Sequence, residues 1–584
     1  MTFKRLVLCV LGLAAACAVM VPDVQAQKHA FVPVNDAMLV NPADADWLMW
    51  RRTLNSWGYS PLRQITSKNV KQLKLAWSIP LHKGSIQEGT PLVYDGILYM
   101  PHPGDVVSAH NAATGEQLWE HHRAIPEDIG DYLQAYETKR SLGIYGETII
   151  FPSNDDYLVG LDANTGKQKW QTQVLDYRKN PAQQSAGPLI IKGKVISGRT
   201  CMPSAGPEAC VITAHDANTG KELWRLNTIQ KPGEGVDTWG GLPWESRWHV
   251  GAWMTASYDP ELDLIYMGTS VTAPAPKFLL AGNDNKYLYH NSTLAINPDN
   301  GHIVWYYQHI VDHWDLDHPF ERLLVDTQVA PDPKQVAWIS PDIEKGKTYK
   351  VLTGIPGKTG IIYTLDRQTG KFLWARPTVQ QNVVAGIDGK TGEVTVNPAT
   401  TFHAKGDTAE VCPALTGGKN WWAGAYSPLT NMMYYGLQNT CSDVTVTLAK
   451  PDAEALYGIS GRDKLAAGAK GIGSVFAVSA ETGRTGWKFD MAGTALSMVT
   501  TGGGLVFGGD IEGNFRAFDQ NTGAVVWEVN LGSSLTGYPI SFAVNGKQYV
   551  AASTGSSVTT ASQRRLLPGL KAGTENRLYV FALP

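Results

Sequence analysis

The sequence predicts an all-β protein, an eight-bladed β-propeller, on three observations. A short phrase recurs along the chain, a tryptophan stands at the same place in every copy, and turn-forming residues are abundant, with 59 Gly and 33 Pro in 584 residues. Each phrase opens on Asp or Asn (Ala once), runs to Thr-Gly (Asn-Gly once), and reaches Trp four residues after the Gly. The copies are Asn111–Gly115 with Trp119, Asp162–Gly166 with Trp170, Asp216–Gly220 with Trp224, Asn297–Gly301 with Trp305, Asp366–Gly370 with Trp374, Ala480–Gly483 with Trp487, and Asp519–Gly523 with Trp527. Leu73–Trp77 is a degenerate eighth that lacks the turn. Self-similarity of this kind marks a repeat architecture, in which one unit cannot bury both its faces and must stack on its neighbours.

Each copy reads as a hairpin. The Asx-x-x-Thr-Gly run is turn chemistry, with Gly supplying the positive φ that other residues resist. Alternating runs such as Tyr157–Leu161 and Lys167–Trp170 flank the turns and suit strands,. The steps from Gly115 to Gly166 and from Gly166 to Gly220 are 51 and 54 residues, and later steps stretch to 69, 81 and 113. The surplus forms insertions at 225–300, 306–360 and 375–480, where loops are expected to carry function. No Pro/Gly/Ser linker divides the chain, so residues 27–584 are expected to form one propeller domain. Pairing of the C-terminal strand Arg577–Phe581 with N-terminal strands would close it.

Ahead of the repeats stands an export signal. Lys4 and Arg5 precede an apolar run from Leu6 to Val21, and Val24-Gln25-Ala26 places small residues at −3 and −1 of a cleavage site after Ala26,. Residues 1–26 are therefore expected to be a signal peptide, and the mature protein periplasmic with no membrane span. The mature chain keeps Cys201, Cys210, Cys412 and Cys441. Three pairings are possible, and the local one, Cys201–Cys210 with Cys412–Cys441, is expected in an oxidising compartment. A zinc site is the alternative, but no Cys-x-x-Cys pair or nearby His pair supports it. A net charge of −3 and a pI near 6.5 exclude a basic nucleic-acid footprint,. No Gly-x-Gly-x-x-Gly follows a strand and opens a helix, which excludes a dinucleotide fold. No Cys-x-x-Cys-His is present to attach haem,.

The Trp-bearing repeats, with the opening segment Trp50–Ser60, resemble the propeller family of pyrroloquinoline quinone (PQQ)-dependent alcohol dehydrogenases over nearly the whole mature chain. Inside the insertions, Trp314-Asp315-Leu316-Asp317 is similar to the family segment whose Asp after Trp is the catalytic base. That role needs a carboxylate able to take the alcohol proton as hydride leaves carbon. In an extended segment Asp315 and Asp317 share one side, so both could face one hard cation. The resemblance implies calcium or a lanthanide as the metal, with Glu208 in Gly206-Pro207-Glu208 as a further ligand. The Asn that the family supplies after a Gly-Thr-Gly run is missing from Gly268-Thr269-Ser270-Val271-Thr272, and Thr272 or Asp317 would have to replace it.

PQQ is flat and polyanionic, so its site needs an aromatic floor and cations. The resemblance assigns the floor to Trp253, a carboxylate-binding guanidinium to Arg140, and a catalytic cation beside the reactive carbonyls to Lys358, where it would stabilise growing negative charge. It assigns further polar cofactor contacts to Glu88, Ser185 and Asn420. Two departures stand out. Gln134 and Ala135 occupy the positions of the family's adjacent cysteines, and Thr494–Met498 lacks the family's Trp cap. Both losses remove bulk above the cofactor, which implies a site for bulky or secondary alcohols. Electrons would pass to a soluble cytochrome c or another periplasmic acceptor. Two other readings remain open on sequence grounds: a non-catalytic propeller that assembles other proteins, and a quinoprotein acting on a sugar, a polymer such as polyvinyl alcohol, or a hydroxylated toxin such as a trichothecene.

Overall fold

The computed structural model describes residues 31–83, 86–133, 138–311, 314–557, 563–571 and 573–584. The expected signal peptide at 1–26 and the pair Gln134 and Ala135 lie outside these. Among the described residues, eight sheets each carry four strands in an antiparallel meander. Seven follow the chain in order, spanning 92–122, 143–173, 189–227, 257–308, 323–377, 425–491 and 495–530. The eighth combines Ile540–Val544, Lys547–Thr554 and the C-terminal Arg577–Ala582 with Lys74–Pro80 from near the N-terminus. The chain ends are thus tied in one sheet by the expected pairing, with Leu75 opposite Phe581 and Ile79 opposite Leu578. First strands such as Leu92–Tyr94 are buried throughout, whereas fourth strands such as Gln117–His122 are exposed to half-buried, so each sheet runs from core to rim.

The repeated phrase explains how the blades dock. Asp162 Oδ1 accepts from the amides of Asn164 (3.1 Å) and Thr165 (2.9 Å) and from the Thr165 hydroxyl (2.8 Å), closing an Asx turn. Asp216, Asp366 and Asp519 repeat this bond set. The turn ends on a Gly at positive φ, and the indole of the preceding blade lies flat against that Gly. A methyl on Gly166 (φ +70°) would sit 2.5 Å from Trp119 Cε3. The same contact joins Trp77 to Gly115, Trp170 to Gly220, Trp224 to Gly301, Trp305 to Gly370, Trp374 to Gly483 and Trp487 to Gly523. Three of these indoles also donate to a backbone carbonyl in the neighbouring blade's turn: Trp119 to Ala163 (3.0 Å), Trp224 to Pro298 (2.9 Å) and Trp487 to Gln520 (2.9 Å). Tryptophan suits the position because it buries a large rigid face against the Gly. The seven contacts form a chain from the ring-closing blade around to the blade at 495–530.

The N-terminal segment threads into this ring. Tyr59–Ser60 adds a parallel strand to Ala495–Thr501. Arg51, fully buried, donates to the carbonyls of Gly424 (2.7 Å) and Met498 (2.6 Å), linking two blades. Both expected disulfides are present, Cys201–Cys210 and Cys412–Cys441. The insertions add their own small sheets, including Thr408–Val411 with Thr440–Val446 and Ile459–Leu465.

Candidate active site

Residues from most of the blades meet in one buried cluster. Trp50, Met254, Phe320, Trp421, Trp422, Leu496, Ile511 and Tyr538 form its core, and Trp253, Leu567 and Leu570 pack against it, each partly exposed. Two charged centres flank this cluster, and each gathers residues the sequence singled out.

The first is built on Arg140. Its Nη2 pairs with Glu88 Oε2 at 2.6 Å, its Nη1 donates to Ser185 Oγ at 2.5 Å, and its guanidinium lies 5.1 Å from the centre of the Trp253 ring. Four expected cofactor contacts therefore stand together although they come from four separate stretches of chain. Two backbone bonds assemble them: Thr90 N–H to Arg140 O (2.9 Å) and Arg140 N–H to Ser185 O (2.9 Å). Glu88 is only 1% exposed. Burial raises its pKa, and the charge and hydrogen bond of Arg140 oppose that rise,.

The second centre is the segment after Trp314. Asp315 Oδ1 pairs with Lys358 Nζ at 2.6 Å, and Asp317 Oδ2 lies 3.8 Å from the same nitrogen. The backbone sets this register, since Lys358 N–H donates to Asp317 O (2.9 Å). Asp317 Oδ1 accepts the Val271 amide at 2.8 Å. Burial raises the pKa of Asp315. The Lys358 charge and hydrogen bonds from Lys358 and Tyr457 pull it down, and the neighbouring Asp317 pushes it up. The net direction is upward, with burial the largest cause, as expected of a carboxyl placed for proton transfer,.

Phe320 joins the two centres. Its ring meets Trp253 edge-on at 5.5 Å, its N–H donates to Pro356 O (3.0 Å), and it lies five residues after Asp315. Lys419 Nζ sits 4.5 Å from the Phe320 ring and pairs with the fully buried Glu321 at 2.8 Å, and Glu321 also accepts the Gly424 amide (2.8 Å). His249, four residues before Trp253, donates its Nδ1–H to Cys201 O and feels the Asp315 charge; burial pushes its pKa down to about 4. Trp253 and Asp315 thus share one side of the molecule.

Other expected site residues are placed differently. Glu208 is exposed on a short 3-10 turn inside the Cys201–Cys210 loop, and its Oε1 accepts the Trp244 indole N–H at 2.8 Å. The donor oxygens of Glu208, Asp315 and Asp317 do not all come within 4.8 Å of one another. The Thr272 hydroxyl donates to Trp248 O (2.7 Å). Asn420 spends its side-chain amide on the backbone, donating to Thr416 O (2.9 Å) and accepting from Trp421 N–H (2.8 Å). Tyr457 and Phe320 carried no motif, and neither did Leu567 and Leu570. Tyr457 arrives from an insertion whose backbone bridges to Ala275. Leu567 and Leu570 arrive from the segment between the last two strands. That segment is anchored by Gln563, which accepts from Thr494 Oγ1 (2.5 Å) and donates to Gln438 (2.5 Å).

The residues present fit a flat polyanion. A cation lies over the ring of the partly buried Trp253, and the buried Arg140 Nε has no hydrogen-bond partner among the described residues. A second cation, Lys358, sits at a carboxylate. Comparison with known proteins agrees. The family model described as PQQ: glucose/ethanol/alcohol dehydrogenase, β-propeller domain, matches residues 47–398 and 491–550. The chain is 31% identical to the quinoprotein alcohol dehydrogenase PedH of Pseudomonas putida, over 85% of this chain and 84% of the relative. It is 30% identical to the quinohemoprotein alcohol dehydrogenase ADH IIB of Pseudomonas putida, over 93% of this chain and 78% of the relative. Among solved structures, a europium-containing methanol dehydrogenase superposes with a TM-score of 0.83 at 26% identity, covering 94% of this chain and all of that one. From the repeat, the docked tryptophans, the Arg140 and Lys358 centres and these matches, the chain belongs to the family of PQQ-dependent alcohol dehydrogenase β-propellers.

Proposed function

We propose that the mature protein, one propeller domain over 27–584 freed of its signal peptide at 1–26, is a periplasmic enzyme that oxidises a bulky or secondary alcohol. The observation that carries the reading is the buried Asp315–Lys358 pair placed beside the Arg140–Trp253 centre. When bound, PQQ supplies the hydride acceptor and a metal ion the Lewis acid. Trp253 is the floor of the cofactor site. Arg140, held by Glu88 and Ser185, presents its fork to a cofactor carboxylate. Asp315 takes the alcohol's hydroxyl proton as the carbon–hydrogen bond breaks. Lys358 holds Asp315 ionised beforehand and offers positive charge to the reaction centre. Asn420 would contact the cofactor by exchanging its bonds to Thr416 O and Trp421 N–H.

Asp315 and Asp317 supply hard oxygen donors for the metal, calcium or a lanthanide. The europium named for the methanol dehydrogenase supports the second. Glu208, whose Oε1 accepts the Trp244 indole N–H, would complete the set by moving toward the two aspartates. The chain has no haem-attachment motif, so electrons leave to a soluble cytochrome c or another periplasmic acceptor. No helix among the described residues is long and apolar enough to cross a membrane. The class of alcohol is supported by Thr494–Met498, which carries no Trp and in which Thr494 and Ser497 are buried, and by Leu567 and Leu570, which add apolar surface beside the cluster. Asp315→Ala tests the base: PQQ binding should persist while dye-linked turnover falls by about 10²–10⁴-fold. Wild-type turnover in that variant would overturn the assignment. A clear preference for methanol over a large cyclic secondary alcohol would overturn the substrate class.

A further inference from the structure

Away from the active site, His82, Glu120 and His122 form the one trio of His, Cys, Asp or Glu among the described residues whose donor atoms all lie within 4.8 Å of one another. His82 Nε2 is 3.0 Å from Glu120 Oε2, and His122 Nε2 is 2.6 Å from Glu120 Oε1. We propose that these three side chains bind a divalent first-row transition ion, zinc in the first place, and that the ion pins the ring-closing blade to its neighbour.

The donor chemistry selects the class of ion. Two imidazoles and one carboxylate suit zinc or copper and not calcium or a lanthanide, which take oxygen donors. Bonds of about 2.0 Å to a tetrahedral zinc separate its ligands by about 3.3 Å, a separation within the 4.8 Å that already encloses one donor atom from each of the three. The remaining position faces solvent, since the His122 side chain is 57% exposed and that of His82 37%. A water there would complete the shell.

The local structure presents the donors together. Glu120 and His122 alternate on the strand Gln117–His122 and so project to one side, while His121 between them turns to Phe151. The His82 ring is held edge-on between His102 (5.0 Å) and His122 (5.2 Å), and its own backbone N–H donates to His102 Nδ1 at 3.1 Å. Behind it runs a fixed polar line: His102 Nε2 to Ser108 Oγ (2.6 Å), Ser108 Oγ to His110 Nε2 (2.8 Å), and His110 Nδ1 to Gly115 O (3.2 Å). Such support orients a ligating ring before the ion arrives.

The location gives the site a purpose. His82 stands two residues beyond Lys74–Pro80, the strand that pairs with the C-terminal Arg577–Ala582 to close the ring. Glu120 and His122 belong to the outer strand of the next blade. An ion held by all three would add a bond across the seam that Trp77 and Gly115 already fill, and its binding energy would oppose opening of the ring.

The experiment uses the full mature chain carrying PQQ and its active-site ion, with zinc alone as probe. Equilibrium dialysis in zinc-buffered solution should find one zinc per chain in the wild type that is lost in His82→Asn/His122→Asn. Glu120→Gln should weaken binding by more than the roughly 10–100-fold that outer-shell changes cost. Zinc should raise the melting temperature of the wild type and leave the double variant unmoved. His122→Ala, at the most exposed ligand, serves as the variant least able to disturb folding. The active-site ion is common to all variants, so zinc exchanging there appears equally in each and is subtracted. Equal zinc binding by wild type and double variant, or an unchanged melting temperature in the wild type, would reduce the trio to a hydrogen-bonded surface cluster and overturn the proposal.

Discussion

Arg140→Met removes the guanidinium that organises the cofactor side of the site, and its cost follows from the burial of Glu88. The Glu88 carboxylate is 1% exposed and its counter-charge lies 2.6 Å away. Breaking a buried pair by deleting one partner leaves an uncompensated charge, at about 3–5 kcal/mol. Glu88 can lessen that cost by taking a proton. Burial already raises its pKa with Arg140 present, and both influences that hold it down leave with the guanidinium. The sign follows by linkage. In the variant the folded pKa of Glu88 stands above its unfolded value, so the folded state holds the extra proton. The variant is then closest to wild-type stability at acid pH and loses stability as pH rises toward the raised folded value. Denaturant unfolding of the cofactor-free protein at about pH 5 and about pH 8 should show a penalty that grows with pH, toward the full ~3–5 kcal/mol of a stranded charge. Glu88→Gln/Arg140→Met should recover most of the stability and still fail to bind PQQ, read by quenching of tryptophan fluorescence. A penalty that shrinks with rising pH, or a double variant that binds PQQ like wild type, would refute the reasoning.

Two further outcomes test the fold. Gly166→Ala places a Cβ 2.5 Å from Trp119 at φ +70°, whereas Gly146→Ala, at φ +56°, meets nothing closer than 3.8 Å. The left-handed backbone costs each about 1–2 kcal/mol, and Gly166→Ala should lose a further ~1–3 kcal/mol to the displaced indole; equal melting temperatures would deny the docking contact. Asp156 is fully buried, and burial raises its pKa from 3.8 to about 7, with Arg199 pulling the other way. Its folded pKa exceeds its unfolded one, so its contribution is lost between about pH 4 and pH 7, by at most ~4 kcal/mol. Asp156→Asn, which keeps an acceptor for Gln184, should therefore unfold later than wild type at pH 8 and show a flatter pH profile. An unchanged profile would count against a protonated Asp156.

The repeat made the sheets legible because its signals are local: an Asx turn, a Gly at positive φ and an indole four residues on all act within one hairpin. The partner of each indole was not legible, since Trp374 packs on Gly483 across a long insertion. The same holds at the site. Arg140, Trp253, Asp315 and Lys358 each carry a chemical type that a flat polyanion and a proton transfer require, and the family resemblance put them in place. Their supports carry no local signature. Tyr457 and Phe320 are ordinary aromatics until the fold sets one on Asp315 and the other on Trp253. Glu208 shows the converse, a motif residue whose three-residue turn in a disulfide loop directs it to Trp244. The loss of bulk at Thr494–Met498 was visible, but not that Leu567 and Leu570, from a segment more than 65 residues on, would pack against the same cluster.

Added PQQ should make this chain an alcohol-oxidising enzyme, with the cofactor seated on the Trp253 floor. Titration of the purified mature protein with PQQ, in the presence of calcium or a lanthanide, should give saturable quenching of tryptophan fluorescence at one PQQ per chain. Alcohol-dependent dye reduction should rise in step. Quenching absent at every concentration, or dye reduction that is independent of PQQ, would contradict it.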